Sequence, residues 1–275
     1  MSDPRLTLAR PDLADASLEG LVSAKVYATT RAHRCAVPAA GLRRAPDAAA
    51  EQLDQLLYGE GFDVLEAKDG WGWGQARRDG YVGYVRLADL SEEAIAPTHR
   101  VSALRAYAFS RPDIKSLPVG LLSLNALVRI DSEEGRFLKD ADGGWIAANQ
   151  LSAVGVFETD PAAVSERYLG APYQWGGRES LGLDCSGLVQ QALYACGLAC
   201  PRDSDQQAQI GVAVEQDALA RGDLVFWKGH VGMMLDEARM IHANAFHMQV
   251  SIEPRTEALA RIGPATASRR IGLTA

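Results

Sequence analysis

Basic residues are in deficit: 28 Lys and Arg stand against 35 Asp and Glu, a net charge of −7. That balance argues against a protein that holds nucleic acid or a polyanionic surface through a basic face. Long apolar runs are missing too, and no stretch nears the ~18 residues of a membrane span. Met1-Ser2-Asp3-Pro4-Arg5 lacks the basic stretch and apolar core of a signal peptide, so the expectation is a cytoplasmic protein with no nucleic-acid or membrane partner. Cysteine is scarce, with Cys35, Cys185, Cys196 and Cys200 the only four in 275 residues. Four thiols in a chain this long do not make a disulfide framework. Cys196 and Cys200 flank Gly197 without the second thiol pair or close His cluster of a zinc site, and no metal or other cofactor is expected. What remains, 47% hydrophobic and 23% charged, is ordinary globular composition with room for two or three modest domains.

Residues 1–20 carry two Pro, several Asp and little periodicity, and read as an arm lying over a later domain. From Leu21 the texture is short strands. Val22 to Tyr27 alternates, helical spacing returns through Ala48 to Leu57, and strands follow over Phe62–Glu66, Trp71–Ala76 and Tyr81–Val85. Asp69-Gly70 and Asp79-Gly80 supply the turns, a pattern of small β-barrels. A second unit repeats the first. Val101–Tyr107 echoes Val22–Tyr27, Gly120–Leu124 echoes Gly59–Phe62, and Gly143–Leu151 echoes Gly80–Leu90. Two copies of about 60 residues fit a duplicated barrel better than a solenoid, which needs about three repeats. Boundaries are expected at 21–92 and 93–155, with a third domain over 156–275.

In that third domain Asp160-Pro161 opens a helix expected to run to Leu169. A Gly-rich loop, Pro172 to Arg178, leads to Leu183-Asp184-Cys185-Ser186-Gly187. Asp184 is a natural N-cap, and Leu188, Val189, Ala192 and Leu193 recur at helical spacing until Gly197. A thiol at that helix start feels the positive end of the dipole, which favours the thiolate. Asp203, Ser204 or Asp205 caps a further helix to Ile210. β-type segments then follow at Leu224–Trp227, His230–Leu235, Arg239–Ala243 and Met248–Glu253, with Arg269–Ile271 as an added edge. Helices followed by an antiparallel sheet are an α+β order.

A cysteine nucleophile needs a base within reach and a group to orient that base. His230 starts one strand and His242 sits mid-strand in the next, so pairing would set the two imidazoles side by side on the sheet face that the Cys185 helix covers. His247 follows a turn and reads as exposed. His33 and His99 have no visible partners.

The motifs Tyr173-Gln174-Trp175-Gly176-Gly177, Asp184-Cys185-Ser186-Gly187-Leu188, Arg221-Gly222-Asp223-Leu224-Val225-Phe226-Trp227, Gly229-His230-Val231-Gly232 and Ile241-His242-Ala243 resemble the NlpC-type cysteine peptidases of bacterial cell-wall metabolism. Leu57-Tyr58-Gly59-Glu60-Gly61 and Asp79 to Val85 resemble bacterial SH3-like domains. The fold so implied is two small SH3-like β-barrels followed by an α+β papain-like catalytic domain.

The resemblance implies Cys185 as nucleophile, His230 as base, His242 as its orienting partner, and the Tyr173 hydroxyl beside the oxyanion. Trp175 reads as packing. The resemblance also implies a murein peptide substrate, cut between γ-D-glutamate and a diamino acid, and a subgroup that recycles freed peptides bearing an unblocked L-Ala. Asp184, Ser186 and Ser204 match positions expected to hold that substrate, with Asp184 equally a helix cap. From the first barrel Glu51 and Tyr81 are nominated, Glu51 being equally a solvated helix-face charge. Glu60 reads as structural. Two competing readings are a binding protein whose catalytic fold is inert and an amidase or acyltransferase on the same fold.

Overall fold

Strand pairing in the amino-terminal half follows one order twice. The computed structural model describes residues 3–92 and 95–272, and contacts divide the chain into Met1–Val154 and Gly155–Ala275. In the first barrel the order is Gln52–Leu57, Ala39–Arg43, Val82–Arg86, Trp71–Ala76, Gly61–Lys68, Arg31–Cys35, Leu90–Ser91. In the second, Pro118–Ser123, Arg105–Phe109, Trp145–Ala147, Phe137–Asp140 and Ile130–Glu134 run in the same order. Leu127–Val128, His99–Val101 and Leu151–Ala153 complete it as a separate sheet, because the strand equivalent to Gly61–Lys68 breaks at Arg129. A short 3₁₀ turn precedes the last strand of each copy, at Leu87–Asp89 and Ala148–Gln150.

The duplication is therefore real, but its register differs from the sequence reading in two of three places. Gly143–Leu151 does match Gly80–Leu90. Gly59, however, corresponds to Asn125, since both have positive φ (78° and 70°). Their amides also bond equivalent carbonyls, Cys35 and Val101. Val101 accordingly matches Cys35 and not Val22. The helix expected over Ala48–Leu57 is a strand from Gln52. Asp47 spends the alanines in a turn, its carboxylate accepting from the Ala49 amide, and pairing with Ala39–Arg43 decides the rest. At Asp69-Gly70 both φ values are positive (49° and 81°), as a two-residue hairpin turn requires.

The arm does lie on the first barrel. Leu13–Asp15 pairs in parallel with Val26–Ala28, the Val82 amide donates to the Arg5 carbonyl, and the Arg10 guanidinium stacks 4.1 Å over Trp73 while binding Glu66.

The two barrels share a core and a polar seam. Leu57 and Tyr58 of the first pack with Val101, Ala106, Leu122, Val128 and Ile146 of the second. Arg34 forms a two-pronged bond to Asp142 (2.8 and 2.6 Å), and the Tyr58 hydroxyl meets Asp140 and Asp142. Buried Glu60 accepts from Arg78 at 3.0 Å, and Arg78 also reaches the Asn125 carbonyl. Glu60 is structural, as read.

The second unit is α+β. A six-stranded sheet runs Val212–Ala213, Ala267–Arg270, Leu224–Trp227, His230–Met234, Arg239–Asn244, Gln249–Pro254. The carboxy-terminal strand lies one in from the edge, not at it. Helix α1 (Pro161–Glu166) is capped by Asp160. Helix α2 (Cys185–Ala195) ends at Cys196 before Gly197, φ 77°. Helix α3 (Ser204–Gln207) stops short of Ile210. Helix α4 (Arg255–Ile262), unforeseen in the sequence reading, runs from Pro254 to Gly263. Among the described residues no helix is long and apolar enough to cross a membrane.

A Cβ on Gly59 would stand 2.0 Å from the Leu127 carbonyl oxygen, and its φ is one that L residues rarely adopt. Gly59→Ala should destabilise the paired barrels by on the order of 1–3 kcal/mol. Thermal unfolding checks this, and an unchanged melting temperature would show the close approach to be dispensable.

Candidate active site

Helix α2 is buried along its whole length, not amphipathic, so its first amides cannot look to water for acceptors. Asp184 answers that need. Its Oδ1 accepts from the Gly187 amide (2.8 Å) and the Ser186 hydroxyl (3.2 Å), and its Oδ2 accepts from the Gly176 amide (2.9 Å). Arg202, 1% exposed, closes the network with bonds of 3.0 and 2.6 Å to Asp184 and 2.8 Å to Ser186 Oγ. A Cβ on Gly187 would meet the Gly177 carbonyl oxygen at 2.3 Å, which is why position 187, two residues after Cys185, is glycine. Asp184, read as cap and as substrate clamp, is the cap, and its carboxylate is already saturated by protein donors. Ser186 is buried in the same network. Ser204 is the first residue of α3 and half-buried.

Cys185 is the first residue of α2 and 6% exposed. Burial, and then the charge of Asp184, push its thiol up to about 12, against the opposing pull of the Val231 and Ser186 amides and of Arg202. The helix-start thiolate expected from sequence is therefore a protonated thiol at rest, because desolvation outweighs the helix end.

His230 Nε2 lies 2.8 Å from His242 Nδ1, on adjacent paired strands. By strand alternation the rings share a face with Val225, Trp227, Met234 and Met240, the cluster that α4 covers through Ala258. Met233, on the opposite face, takes a bond from Ser165 of α1, which packs along α2. The imidazoles thus lie on the α4 face, not on the face expected from sequence, and the sulfur of Cys185 meets the strand at the Val231 amide. Trp227 covers His230 at 5.8 Å between centroids, its indole N–H fixed to the Gly263 carbonyl at 2.9 Å. Burial, then the neighbouring His242, bring His230 down to about 4, and burial does the same to His242.

Two residues absent from the sequence reading stand behind this pair. Glu253 Oε1 is 2.7 Å from His242 Nε2, close but short of linear hydrogen-bond geometry. Arg261 of α4 grips the same carboxylate at 2.5 and 2.8 Å. Burial works to raise the Glu253 carboxyl, but Arg261 and His242 outweigh it and hold it below its usual range. His247 is exposed, as expected, and bonds Asn244 and Ser251. Donor atoms of His242, His247 and Glu253 lie within 4.8 Å of one another. They are engaged with His230, Arg261, Asn244 and Ser251, and the guanidinium opposes a cation there. All four cysteines are buried.

Tyr173 is half-buried on a segment whose amide donates to the Met248 carbonyl and which bridges to Leu183, just ahead of Cys185. Burial, then the charges of Cys185 and Asp184, raise its phenol, which places the hydroxyl in the field of the thiol. Trp175, read as packing, is 61% exposed, turned outward where Gly176 adopts φ 70°. Glu51 is exposed, precedes a strand rather than lying on a helix, and pairs with Arg44 at 2.8 Å. Tyr81 is buried in the first barrel's core at 4% exposure, within the field of the same Arg44.

A thiol at the head of a buried helix, packed on the antiparallel strands that carry a histidine pair, is a papain-like arrangement. Residues 170–261 match the NlpC/P60 family, and residues 42–90 match the bacterial dipeptidyl-peptidase SH3 domain. The chain thus carries an NlpC/P60 cysteine-peptidase domain behind a bacterial dipeptidyl-peptidase SH3 domain. It is 28% identical over 231 residues to a gamma-D-glutamyl-L-lysine dipeptidyl-peptidase of Bacillus subtilis, covering 74% of this chain and 76% of that one. It is 27% identical to dipeptidyl-peptidase 6 of Lysinibacillus sphaericus, covering 79% and 89%. The fold matches the crystal structure of an NlpC/P60 family protein from Bacillus cereus with a TM-score of 0.77 at 23% identity, covering 88% of this chain and 100% of that one.

Two outcomes follow from the site. Arg202→Met leaves the Asp184 carboxylate buried without its counterion, at a cost on the order of 3–5 kcal/mol. A lower melting temperature and lost turnover are expected, and a variant as stable as wild type would show that the pair does not hold α2. His230 and His242 are buried neutral with folded values near 4 against 6.5 when unfolded. The unfolded chain thus takes up more protons as pH falls between those limits. The stability of the neutral pair is present above about pH 6.5 and lost toward pH 4. His242→Gln should make that slope shallower by about one proton, read from melting temperature against pH.

Proposed function

We propose that the chain hydrolyses the bond between γ-D-glutamate and an L-diamino acid, diaminopimelate or lysine, in free peptidoglycan stem peptides with an unblocked amino-terminal L-Ala. The observation that carries this reading is the similarity to gamma-D-glutamyl-L-lysine dipeptidyl-peptidases over about three quarters of the chain, barrel and catalytic domain together. Releasing a dipeptide requires a free amino terminus. In the intact wall that L-Ala nitrogen is acylated by the glycan's lactyl group, so the substrate is a freed peptide and the role one of murein recycling in the cytoplasm.

His230 Nε2 is engaged by His242, which leaves Nδ1 to take the proton of the Cys185 thiol. The sulfur attacks the γ-carbonyl of D-glutamate, and the helix-start amides with the Tyr173 hydroxyl receive the oxyanion. The His230 imidazolium then protonates the leaving amine of the diamino acid. The thioester between Cys185 and L-Ala-γ-D-Glu is hydrolysed by a water that His230 deprotonates. His242 holds the orientation of His230. Ser204, at the first turn of α3, is assigned to the peptide, while Asp184 and Ser186 act on it by fixing the α2 start. Glu51 and Tyr81 form one corner of the first barrel, joined through Arg44, and are assigned to the substrate's amino-terminal end.

Incubation with L-Ala-γ-D-Glu-diaminopimelate, followed by mass spectrometry, should release L-Ala-D-Glu, with Cys185→Ala inactive. The N-acetylated peptide should be cleaved slower by on the order of 10²-fold or more, because a site built for a polar group rejects its absence. No dipeptide released overturns the peptidase reading, and equal cleavage of the acetylated peptide overturns the free-amine requirement.

A further inference from the structure

The triad does not end at His242. We propose that Glu253, anchored by Arg261, is a positioning residue that fixes the protons of both imidazoles, so that His230 presents an unprotonated Nδ1 to Cys185. The proposal rests on the reading of Cys185 and His230 as nucleophile and base.

Only one proton lies between His230 Nε2 and His242 Nδ1, 2.8 Å apart. Either His230 donates and His242 accepts, or the reverse. If His242 donates from Nδ1, its Nε2 is a bare lone pair 2.7 Å from the Glu253 carboxylate, a contact of two electron-rich atoms. If His230 donates, His242 carries its proton on Nε2, facing that carboxylate. The ionised state of Glu253 is secured by Arg261, which holds both oxygens at 2.5 and 2.8 Å. The second arrangement therefore wins. Neutral His230 then carries its proton on Nε2, and its Nδ1 is a base. With the carboxylate removed, the reversed arrangement becomes available. It puts the proton of His230 on Nδ1, where it cannot accept one from the thiol. Arg261 is itself located by its stack 4.4 Å over the Phe246 ring. The groups acting on this chain of protons are thus Glu253, Arg261, His247 and the two imidazoles themselves.

Glu253→Ala and the near-isosteric Glu253→Gln test it by two routes. Nitrogen NMR of the imidazoles, which requires no substrate, should show both His230 and His242 protonated at Nε2 in the wild type, with Nδ1–H forms appearing in Glu253→Ala. In kinetics, Glu253→Ala should lose about 10–100-fold in kcat with KM changed less than about twofold and a smaller loss in Glu253→Gln. Glu253 raises the affinity of both imidazoles for protons, so the acid limb of kcat/KM should move to lower pH in both variants. A purely structural role would lower the plateau and leave the limb in place. Unchanged tautomers in folded Glu253→Ala overturn the proposal, as does an unmoved acid limb in Glu253→Gln if Glu253→Ala does not fold. A wild type with the expected tautomers but no peptide cleavage overturns the peptidase reading instead.

Discussion

Everything at the candidate active site hangs on the ion pair between Asp184 and Arg202. A helix buried on all sides brings unsatisfied amides into the interior, and a carboxylate at its head is an economical acceptor. A buried carboxylate in turn requires a cation with good geometry, since the desolvation of either partner alone is prohibitive. Arg202 supplies it with two bonds to the carboxylate and one to Ser186. The chain thereby ties together the Gly176 loop, the first turn of α2 and the segment leading to α3. The Cys185 thiol is as well placed as that network is rigid.

The same charge has a chemical consequence. A negative group beside Cys185 disfavours a second one, and together with burial it keeps the thiol protonated at about 12. The histidine pair is held down for a matching reason, burial above all, joined at His230 by the neighbouring His242. These shifts favour a thiol and an imidazole over an ion pair at rest, and in the proposed mechanism charge separates as the sulfur engages the carbonyl. The Val231 and Ser186 amides pull the thiol the other way, and such dipoles favour the thiolate once it forms.

How much of this was legible in the chain depends on whether a residue acts locally. Asp160-Pro161, Asp184 before Cys185, and Asp69-Gly70 act on their own backbone within a few residues, and each did what its local chemistry requires. The pairing of His230 with His242 was readable from two adjacent strand patterns. Glu253 was not, because its meaning comes from cross-strand register, where it lies opposite Met240 one step along from His242. Arg202 has no local signature at all, since its partner lies 18 positions earlier. Helix α4 did leave signals, a Pro before its start and a Gly after its end. Without it, Arg261 could not be placed. The barrel duplication was visible as composition, yet its register failed because Asn125 stands where the first copy has Gly59, both meeting one demand for positive φ.

Two buried carboxylates, each neutralised by an arginine, bracket the path of the proton. Asp184 stands on the sulfur side and makes the thiolate harder to form. Glu253 stands behind the imidazoles and makes the imidazolium easier to form. In the proposed mechanism their effects on moving one proton from Cys185 to His230 oppose each other, which lets the fold hold α2 with a charge beside the thiol and leave the proton transfer balanced. The asymmetry in their anchors fits these roles. Arg202 is sealed in the interior with bonds to both Asp184 and Ser186, whereas Arg261 binds from a half-exposed position on α4. The first fixes a position, and the second leaves a carboxylate charged enough to be felt one imidazole away.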